Sequence, residues 1–441
     1  MSSDRILAIA AAFLLTGAAP FAPPAHKSPT VYRHATLIDG TGAPAKPDMA
    51  VITDGERIAA VVPDASLMEA QLQGAKQVDL TGKFLLPGLI DTHQHFATPP
   101  DRAEAEARLR RDIYSGITAT RDMADDLRQM GDIARQARVG EIASPDIYYA
   151  ALMAGPSFFI DPRTQAIAQG AIAGQVPWEQ AIDENTDMPL AVARAKGTNA
   201  TALKIYANLP GDIVAKIASE AHRQGMRVWA HGMVFPATPF EVVDAGVDTV
   251  SHSCYLAYQA MDRRPESYQQ RFPLAASLFK RDNPVMAKLF ADMVERGTVL
   301  DATLHVYREV EAAAKEQRKP PLCTVALAAK LTNQAYRAGV TISAGTDGDT
   351  DAGDPWPALF DELELLNHSA GLPPSAVVKA ATLNGAKAAG QEQEMGTIAV
   401  GKLANLVVLT ANPLEDVKNF RTVVLTVKRG RAFQRGAQPA R

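Results

Sequence analysis

The chain has 441 residues, of which 47% are hydrophobic and 21% are charged, with 30 Gly and 29 Pro. This is the composition of an ordinary globular protein, and it excludes a disordered, collagen-like or coiled-coil chain. Forty-five basic and 49 acidic side chains give a net charge of −4. Because nucleic acids and anionic membranes bind clustered positive charge, neither is an expected partner, and a small neutral or modestly charged substrate fits better.

The N-terminus has the pattern of a secretory signal peptide, which we predict over residues 1–25. Arg5 precedes an unbroken apolar stretch at residues 6–15, and small residues and prolines follow. The stretch is shorter than the roughly 20 residues that span a bilayer, so we expect a cleaved, periplasmic or secreted product that is free of the membrane. An uncleaved anchor or a frayed N-terminal helix is the alternative.

The chain contains two cysteines, Cys254 and Cys323. This number excludes a metal site built from cysteine thiolates and allows at most one disulfide bond. The sequence leaves open whether the two cysteines pair, and it leaves open whether the protein forms a homo-oligomer.

Short β-rich segments broken by turn residues occur near both ends of the chain. They lie at residues 31–38, 49–53 and 57–62, and again at residues 405–409 and 423–428. Neither group has enough strands for an independently stable sheet. We therefore predict that residues 30–86 and 391–435 form one small composite β-sandwich domain, built from both chain ends.

The middle of the chain, residues 87–390, alternates between predicted strands and predicted helices. Amphipathic stretches, including residues 102–114, 125–138, 211–223 and 284–296, separate eight β-rich segments: 84–91, 116–121, 146–151, 201–206, 226–230, 247–251, 297–303 and 340–344. Eight βα repeats predict an α/β fold of the (β/α)₈ TIM barrel type. A doubly wound open sheet is the alternative, although no G-x-G-x-x-G follows the first strand.

Six polar residues fall on these strands or at their carboxyl ends: His93, His95, Lys204, His231, His252 and Asp347. In a barrel, these ends meet on one face, where catalytic residues collect. The spacing of His93 and His95 places both imidazoles on one side of an extended segment. Imidazoles and carboxylates without thiolates favour Zn²⁺ over Mn²⁺, Co²⁺ or Fe²⁺. Taken singly, each histidine has a structural interpretation as a hydrogen-bonded core residue, and Asp347 has one as a turn residue.

Lys204 is unusual because an ammonium group that points into a cationic site is repelled, and burial also disfavours its charge. It must be neutral, paired with an acid, or modified. A neutral amine can add CO₂ to give a carbamate, which is a carboxylate-like group able to bridge two cations. The alternative is a lysine whose head group points elsewhere.

The motifs that carry these residues resemble those of the amidohydrolase superfamily. They are PGLIDTHQH at 87–95, LKIY at 203–206, VWAH at 228–231, SH at 251–252 and GTD at 345–347, with AATLNGA at 380–386, GTI at 396–398 and GKLANL at 401–406. The resemblance implies a site for two divalent metal ions, most simply zinc. In it His93 and His95 hold the more buried ion, His231 and His252 hold the other, a carboxylated Lys204 bridges them, and Asp347 binds metal and moves protons.

Within the superfamily, the LKIY strand is similar to that of prolidase-like dipeptidases and N-acyl amino acid hydrolases. The resemblance implies hydrolysis of an amide or peptide bond by a metal-bridging hydroxide, with Tyr206 and His305 as candidates for binding a substrate carboxylate or the oxyanion. The alternatives are a cyclic amide, lactone or deaminase-type hydrolase on the same metal centre and, more remotely, a non-catalytic binding protein.

The sequence departs from the pattern of this branch at three points. Asn405 stands where the family has Asp, in the β domain. Gly232 and Met233 follow His231 where the family often has Ala-His-Gly, and residues 155–157 read Gly-Pro-Ser where it often has Gly-Gly-His. Substrate recognition therefore does not transfer by analogy. Two segments that are long for a barrel, residues 152–177 and 255–283, are expected to shape the pocket.

Overall fold

The structure of the protein is a computed structural model that describes residues 29–350 and 354–437. The predicted signal peptide, residues 1–25, lies outside the described residues. No helix in the described part of the chain has both the length and the apolar character that crossing a membrane requires.

The strands of the described residues run in chain order as β1 Thr30–Leu37, β2 Lys46–Asp54, β3 Arg57–Pro63, β4 Lys76–Asp79, β5 Phe84–Pro87, β6 Leu89–Gln94, β7 Ile117–Asp122, β8 Asp146–Ala154, β9 Gln175–Val176, β10 Glu179–Ala181, β11 Ala202–Ile205, β12 Arg227–His231, β13 Thr249–Ser251, β14 Val299–Asp301, β15 Ile342–Ser343, β16 Leu406–Leu409, β17 Val423–Lys428 and β18 Arg431–Gln434. The α-helices are α1 Glu69–Leu72, α2 Arg102–Tyr114, α3 Leu127–Val139, α4 Pro162–Ile167, α5 Met188–Lys196, α6 Gly211–Arg223, α7 Pro239–Asp244, α8 Pro284–Arg296, α9 Leu304–Glu316, α10 Val325–Arg337, α11 Leu359–Glu364, α12 Pro374–Ala380 and α13 Leu383–Ala388.

Eight parallel strands form the barrel in the order β6, β7, β8, β11, β12, β13, β14 and β15. The ring closes between the last and the first strand. There the Thr92 N–H donates to the Ala344 carbonyl at 3.0 Å, and the Asp347 N–H donates to the His93 carbonyl at 2.9 Å. The predicted (β/α)₈ barrel is confirmed.

The barrel helices pack an apolar face against the strands and end in local hydrogen bonds. On α6 the buried residues recur at helical spacing: Ile213, Val214, Ile217, Ala218 and Ala221. The Asp126 side chain accepts from the Arg128 N–H at the start of α3, and Gly140 ends that helix in a left-handed conformation with φ 77°. These signals are local, so the sequence located the helices well. Three predicted stretches, 102–114, 211–223 and 284–296, match α2, α6 and α8.

The β domain is one mixed sheet in the order β18, β17, β16, β5, β1, β2 and β3, with β4 paired to β1. Strand β5 lies between β1 from the start of the chain and β16 from its end. Its core includes Tyr32, Leu37, Val51, Leu85, Leu406, Val408 and Val427. The composite β domain built from both chain ends is confirmed.

The structure differs from the sequence prediction at two places: at the first barrel strand, β6, and in the segment after the third barrel strand, β8. Residues 84–91 were predicted as one strand, but they form parts of β5 and β6, which belong to different sheets. The chain changes sheet at Gly88, whose N–H donates to the Asn405 carbonyl at 2.9 Å. A Cβ at Gly88 would collide with Thr118. The pair β9 and β10, added beside β8, was not predicted.

Cys254 and Cys323 form a disulfide bond, with their Cα atoms 6.3 Å apart. Cys254 follows β13, and Cys323 lies just before α10, so the bond joins the segments after the sixth and seventh barrel strands. Both residues are buried. The sequence left open whether the two cysteines pair, and the structure shows that they do.

Candidate functional site

The structure brings the six predicted ligands together at the carboxyl ends of the barrel strands. His93 and His95 lie at the end of β6, Lys204 in β11, His231 at the end of β12, His252 after β13 and Asp347 after β15. The ring centroids of His93 and His252 are 4.9 Å apart, and those of His231 and His252 are 4.6 Å apart. The side chains of His95 and Asp347 are partly exposed, whereas those of the other four are buried.

The Asp347 carboxylate lies at the centre of this cluster. Its Oδ1 is 3.5 Å from Nε2 of both His93 and His95, and its Oδ2 is 3.7 Å from Nε2 of His252. One ligand atom from each of His93, His252 and Asp347 lies within 4.8 Å of the others. Imidazole nitrogens and a carboxylate at this spacing fit a divalent cation such as Zn²⁺, so the described residues form a candidate metal site.

Two carboxylates that the sequence analysis did not single out orient the histidines. Asp301, at the end of β14, lies 2.8 Å from Nδ1 of His93, and Asp125 lies 2.9 Å from Nδ1 of His95. The Nε2 atoms of both rings therefore face Asp347, and carboxylate contacts of this kind fix the orientation of metal-binding histidines. Asp301 lies within the predicted strand 297–303, which was the signal available for it. Asp125 stands at the start of a predicted helix, where acidic residues are common, so the sequence offered no reason to select it.

Burial lowers the pKa of His93, His231 and His252, so these three imidazoles are neutral, which is the form that binds metal. At His95 burial also lowers the pKa, but the hydrogen bonds that its ring donates to the Asp125 and Asp347 carboxylates outweigh burial and raise the pKa to about 10. Burial raises the pKa of Asp347, but the charges of the surrounding histidines hold it far below its usual range. Asp347 is thus ionised at neutral pH.

Lys204 is buried, and its Nζ has no hydrogen-bond partner among the described residues. Burial is the main reason that its pKa is lowered to about 7, with the Arg121 charge acting in the same direction and Asp347 opposing it. A substantial fraction of Lys204 is therefore neutral near pH 7. An unpaired buried amine and the similarly unpaired Nδ1 of His231 are polar atoms that a bound cation and a carbamate would engage.

Above the cluster lies a cavity of about 420 Å³. Its lining residues come from several barrel loops: His95, Thr98, Met123, Ala124, Leu152, Phe158, Arg163, Thr164, Ile167, Tyr206, Glu309 and Asp347. Residues 152–177 thus contribute to its wall, as expected. Neither Arg163, in α4, nor Glu309, in α9, was predicted, because nothing in the sequence shows that the side chains of these helices reach the cavity.

The two predicted substrate-binding residues differ in position. Tyr206 lines the cavity, and its ring lies 4.1 Å from that of His231, between centroids. His305 is buried at the start of α9, where its backbone N–H donates to Glu362 at 2.7 Å. Its Nε2 is 3.6 Å from Glu309, and it is not among the residues that line the cavity. The structure places Tyr206 beside the cluster and His305 outside the cavity wall.

Comparison with known proteins gives one family and several relatives of similar architecture. The model of the amidohydrolase family matches residues 84–433. The ochratoxinase of Aspergillus niger is 25% identical over 452 residues, covering 92% of this chain and 86% of that protein. Its crystal structure superposes with a TM-score of 0.71 at 23% identity, covering 92% of this chain and 96% of that one.

A crystal structure of a Xaa-Pro dipeptidase with bound methionine also has a TM-score of 0.71, at 22% identity, and covers 92% of this chain and 100% of that one. At this level of identity the structural likeness supports the fold alone. The family model spans most of the chain, and the predicted enzyme class, a hydrolase of carbon–nitrogen bonds, agrees with it. The chain belongs to the amidohydrolase family.

Proposed function

We propose that this protein hydrolyses an amide or peptide bond in a substrate of the dipeptide or N-acyl amino acid type. The observation that carries the proposal is the position of Asp347, an ionised carboxylate between three imidazoles at the floor of the 420 Å³ cavity. A cavity of this size holds a small molecule of a few residues at most. Family membership supports a hydrolase, and the cavity supports a small substrate.

The residues that would hold two divalent cations, most simply zinc, are His93, His95, His231, His252, Asp347 and a carboxylated Lys204. When bound, such cations acidify a water molecule and polarise a carbonyl group. The surrounding residues prepare these ligands: Asp301 and Asp125 fix the rings of His93 and His95, and burial keeps Lys204 partly neutral.

Asp347 is the proposed proton-transfer residue. Its side chain lines the cavity, and its backbone N–H is held by the His93 carbonyl at 2.9 Å. Its φ of 50° lies in the left-handed region, which is uncommon for a residue other than glycine and is typical of functional sites. An ionised carboxylate held there accepts the proton of the attacking water and returns it to the leaving nitrogen.

The test combines metal analysis with a substrate panel. We expect the purified protein to contain about two metals per chain and to cleave dipeptides or N-acyl amino acids in a chelator-sensitive manner. The panel includes a lactone and a cyclic amide, because the same residues would serve those electrophiles. Failure to take up metal from added Zn²⁺ and bicarbonate would overturn the proposal.

We also propose that the mature protein works in the periplasm or outside the cell. The signal-peptide pattern at residues 5–15 supports this, and so does the Cys254–Cys323 disulfide, because structural disulfides persist mainly in oxidising compartments. N-terminal sequencing of the protein recovered from a periplasmic extract is the test. A chain that still begins at Met1 in the cytoplasmic fraction would contradict export.

A further inference from the structure

The cavity carries opposite charges on opposite walls. Arg163 lies in α4, after the third barrel strand β8, and Glu309 lies in α9, after the seventh barrel strand β14. In a ring of eight strands, the third and the seventh face each other across the barrel axis. Both side chains line the cavity, with Asp347 and His95 at its floor. A small molecule lying across the metal cluster therefore has a cation at one end and a carboxylate at the other.

The position of Arg163 is fixed by three neighbours. Its Nε and Nη2 donate to the Asp161 carboxylate at 3.0 and 2.9 Å, its Nη1 donates to the Tyr206 hydroxyl at 2.9 Å, and its Nη2 also donates to the Tyr268 hydroxyl at 3.3 Å. Nη1 has a second N–H besides the one given to the Tyr206 hydroxyl, and that hydroxyl, which accepts from Nη1, has a proton of its own to donate; both residues line the cavity. A substrate carboxylate can accept from these two groups, since guanidinium groups bind carboxylates through fixed, directional N–H groups.

Glu309 lies on the other side of the cavity, close to the segment that follows Asp347. Its Oε1 is against Gly348, the residue after Asp347, where a Cβ would come within 2.8 Å of it. Nε2 of His305 lies 3.6 Å from the Glu309 carboxylate, and about half of the Glu309 side chain is exposed. The carboxylate thus has acceptor capacity left for an ammonium group.

The wall between the two charges is apolar on the side of the third strand. Met123, Leu152, Phe158 and Ile167 line it. These residues offer contacts to a hydrophobic side chain of the substrate and no hydrogen bonds from their side chains. Charge at the two ends and apolar surface between them match a short peptide with both termini free.

We infer that the substrate is a free dipeptide, whose C-terminal carboxylate binds Arg163 and Tyr206 and whose N-terminal ammonium binds Glu309. This inference rests on the proposed amide hydrolysis and narrows its substrate class. The peptide bond then lies over Asp347. Cleavage of its C–N bond adds the hydroxyl group of one water to the carbonyl carbon and the remaining proton to the leaving nitrogen, which gives two free amino acids.

The test uses four forms of one apolar dipeptide: the free peptide, its C-terminal amide, its N-acetyl derivative and the doubly blocked compound. For the wild-type enzyme, each block is expected to lower kcat/KM about 10- to 100-fold, as loss of a charged hydrogen bond does. Arg163→Gln should lose the discrimination against the amide and keep the discrimination against the acetyl group. Glu309→Gln should show the reverse pattern.

Matched controls separate recognition from folding. Arg128 has the same arrangement as Arg163, with a two-point contact to Asp126 two residues before it, but it does not line the cavity. Glu316 lies on the same helix as Glu309 and is exposed. Arg128→Gln and Glu316→Gln should keep the wild-type ranking of all four compounds. Arg163→Lys, which retains the charge, should recover part of the preference for the free carboxylate.

Calorimetric titration of the free dipeptide into chelator-treated protein gives a second readout without turnover. Binding should weaken in Arg163→Gln and in Glu309→Gln but not in the two controls. Equal cleavage of all four compounds by the wild-type enzyme would overturn the dipeptide inference and leave amide hydrolysis standing. A metal-loaded enzyme that cleaves none of them would overturn both.

Discussion

Nδ1 of His93 lies 2.8 Å from Oδ2 of Asp301, and Nη2 of Arg121 donates to that same oxygen at 3.1 Å. The carboxylate also accepts from the Thr92 hydroxyl at 2.7 Å and the Ser251 hydroxyl at 3.1 Å. Strands β6, β7, β13 and β14 therefore meet at one buried acid. This network holds the His93 ring with its Nε2 toward Asp347.

Replacing this acid tests its effect on the metal site. We expect Asp301→Asn to lower zinc affinity about 10- to 100-fold, because the carboxylate contact that orients His93 and makes it more basic is lost. Zinc affinity is measured by competition with a chromogenic chelator. The matched control is Asp248→Asn, since Asp248 also contacts a histidine, His222, at 3.0 Å and accepts from Arg227 at 2.6 Å. It precedes β13, at the opposite end of that strand from His252 and the candidate metal site. Equal affinity in wild type and Asp301→Asn would contradict this role.

The proposed carbamate on Lys204 is directly testable. Protein equilibrated with ¹³C-bicarbonate and zinc should show one carbamate signal by NMR, and Lys204→Met should show none. The variant should also bind fewer than the roughly two metals expected of the wild type, because the bridging oxygens are missing. Lys428, a second buried lysine, is paired with Asp146 at 2.9 Å, so it should not contribute a signal. Full metal occupancy in Lys204→Met would refute the bridge.

The disulfide should contribute strongly to stability. It closes a segment with a sequence separation of 69 residues, and a bond of that span restricts the unfolded chain. We expect the double variant Cys254→Ala/Cys323→Ala to lose about 2 to 4 kcal/mol of unfolding free energy, measured by denaturant titration. Wild-type protein unfolded with a reducing agent present should show the same loss. A midpoint that does not move in either experiment would argue against this contribution.

Glu179, which is outside the candidate metal site, should make the free energy of unfolding depend on pH. Burial, helped by the nearby charge of Asp126 and opposed by the Gly174 N–H, raises the pKa of Glu179 to about 8. A carboxyl group that is harder to ionise when folded contributes stability below its unfolded pKa and loses it as pH rises toward 8. Relative to Glu179→Gln, the wild type should lose on the order of 3 kcal/mol between pH 5 and 8. The exposed Glu316→Gln should follow the wild-type curve, and parallel curves for wild type and Glu179→Gln would rule the effect out.

Much of the barrel was predictable because its signals are local. The helix α2 was located from its amphipathic spacing, and His231 and His252 were placed by the strands that they follow or end. The break at Gly88 was missed because its cause is remote, namely the packing of Thr118 and the hydrogen bond to Asn405. A continuous apolar run does not show that its two halves belong to different sheets.

The candidate site also contains residues that the sequence could place and residues that it could not. The residues predicted for it stand at strand ends, where the fold alone brings them together. Asp125 precedes α3, and Arg163 lies in the short helix α4 after β8, so their contacts with His95 and Tyr206 depend on how these connecting segments fold, which the sequence pattern does not encode. Asp301 could have been proposed from the sequence, since it ends the seventh strand of the barrel. An acidic residue at a strand end, however, has many structural interpretations.

The place of β5 between β1 and β16 has a consequence for how the protein is made. A ribosome that has synthesised residues up to 400 has completed the barrel strands, yet β5 still presents an open edge. Such an edge pairs readily with other chains. The segment Leu406–Leu409 is therefore the last strand to pair with β5, and we expect a nascent chain stopped before it to aggregate through β5 even though all residues of the candidate metal site have been synthesised.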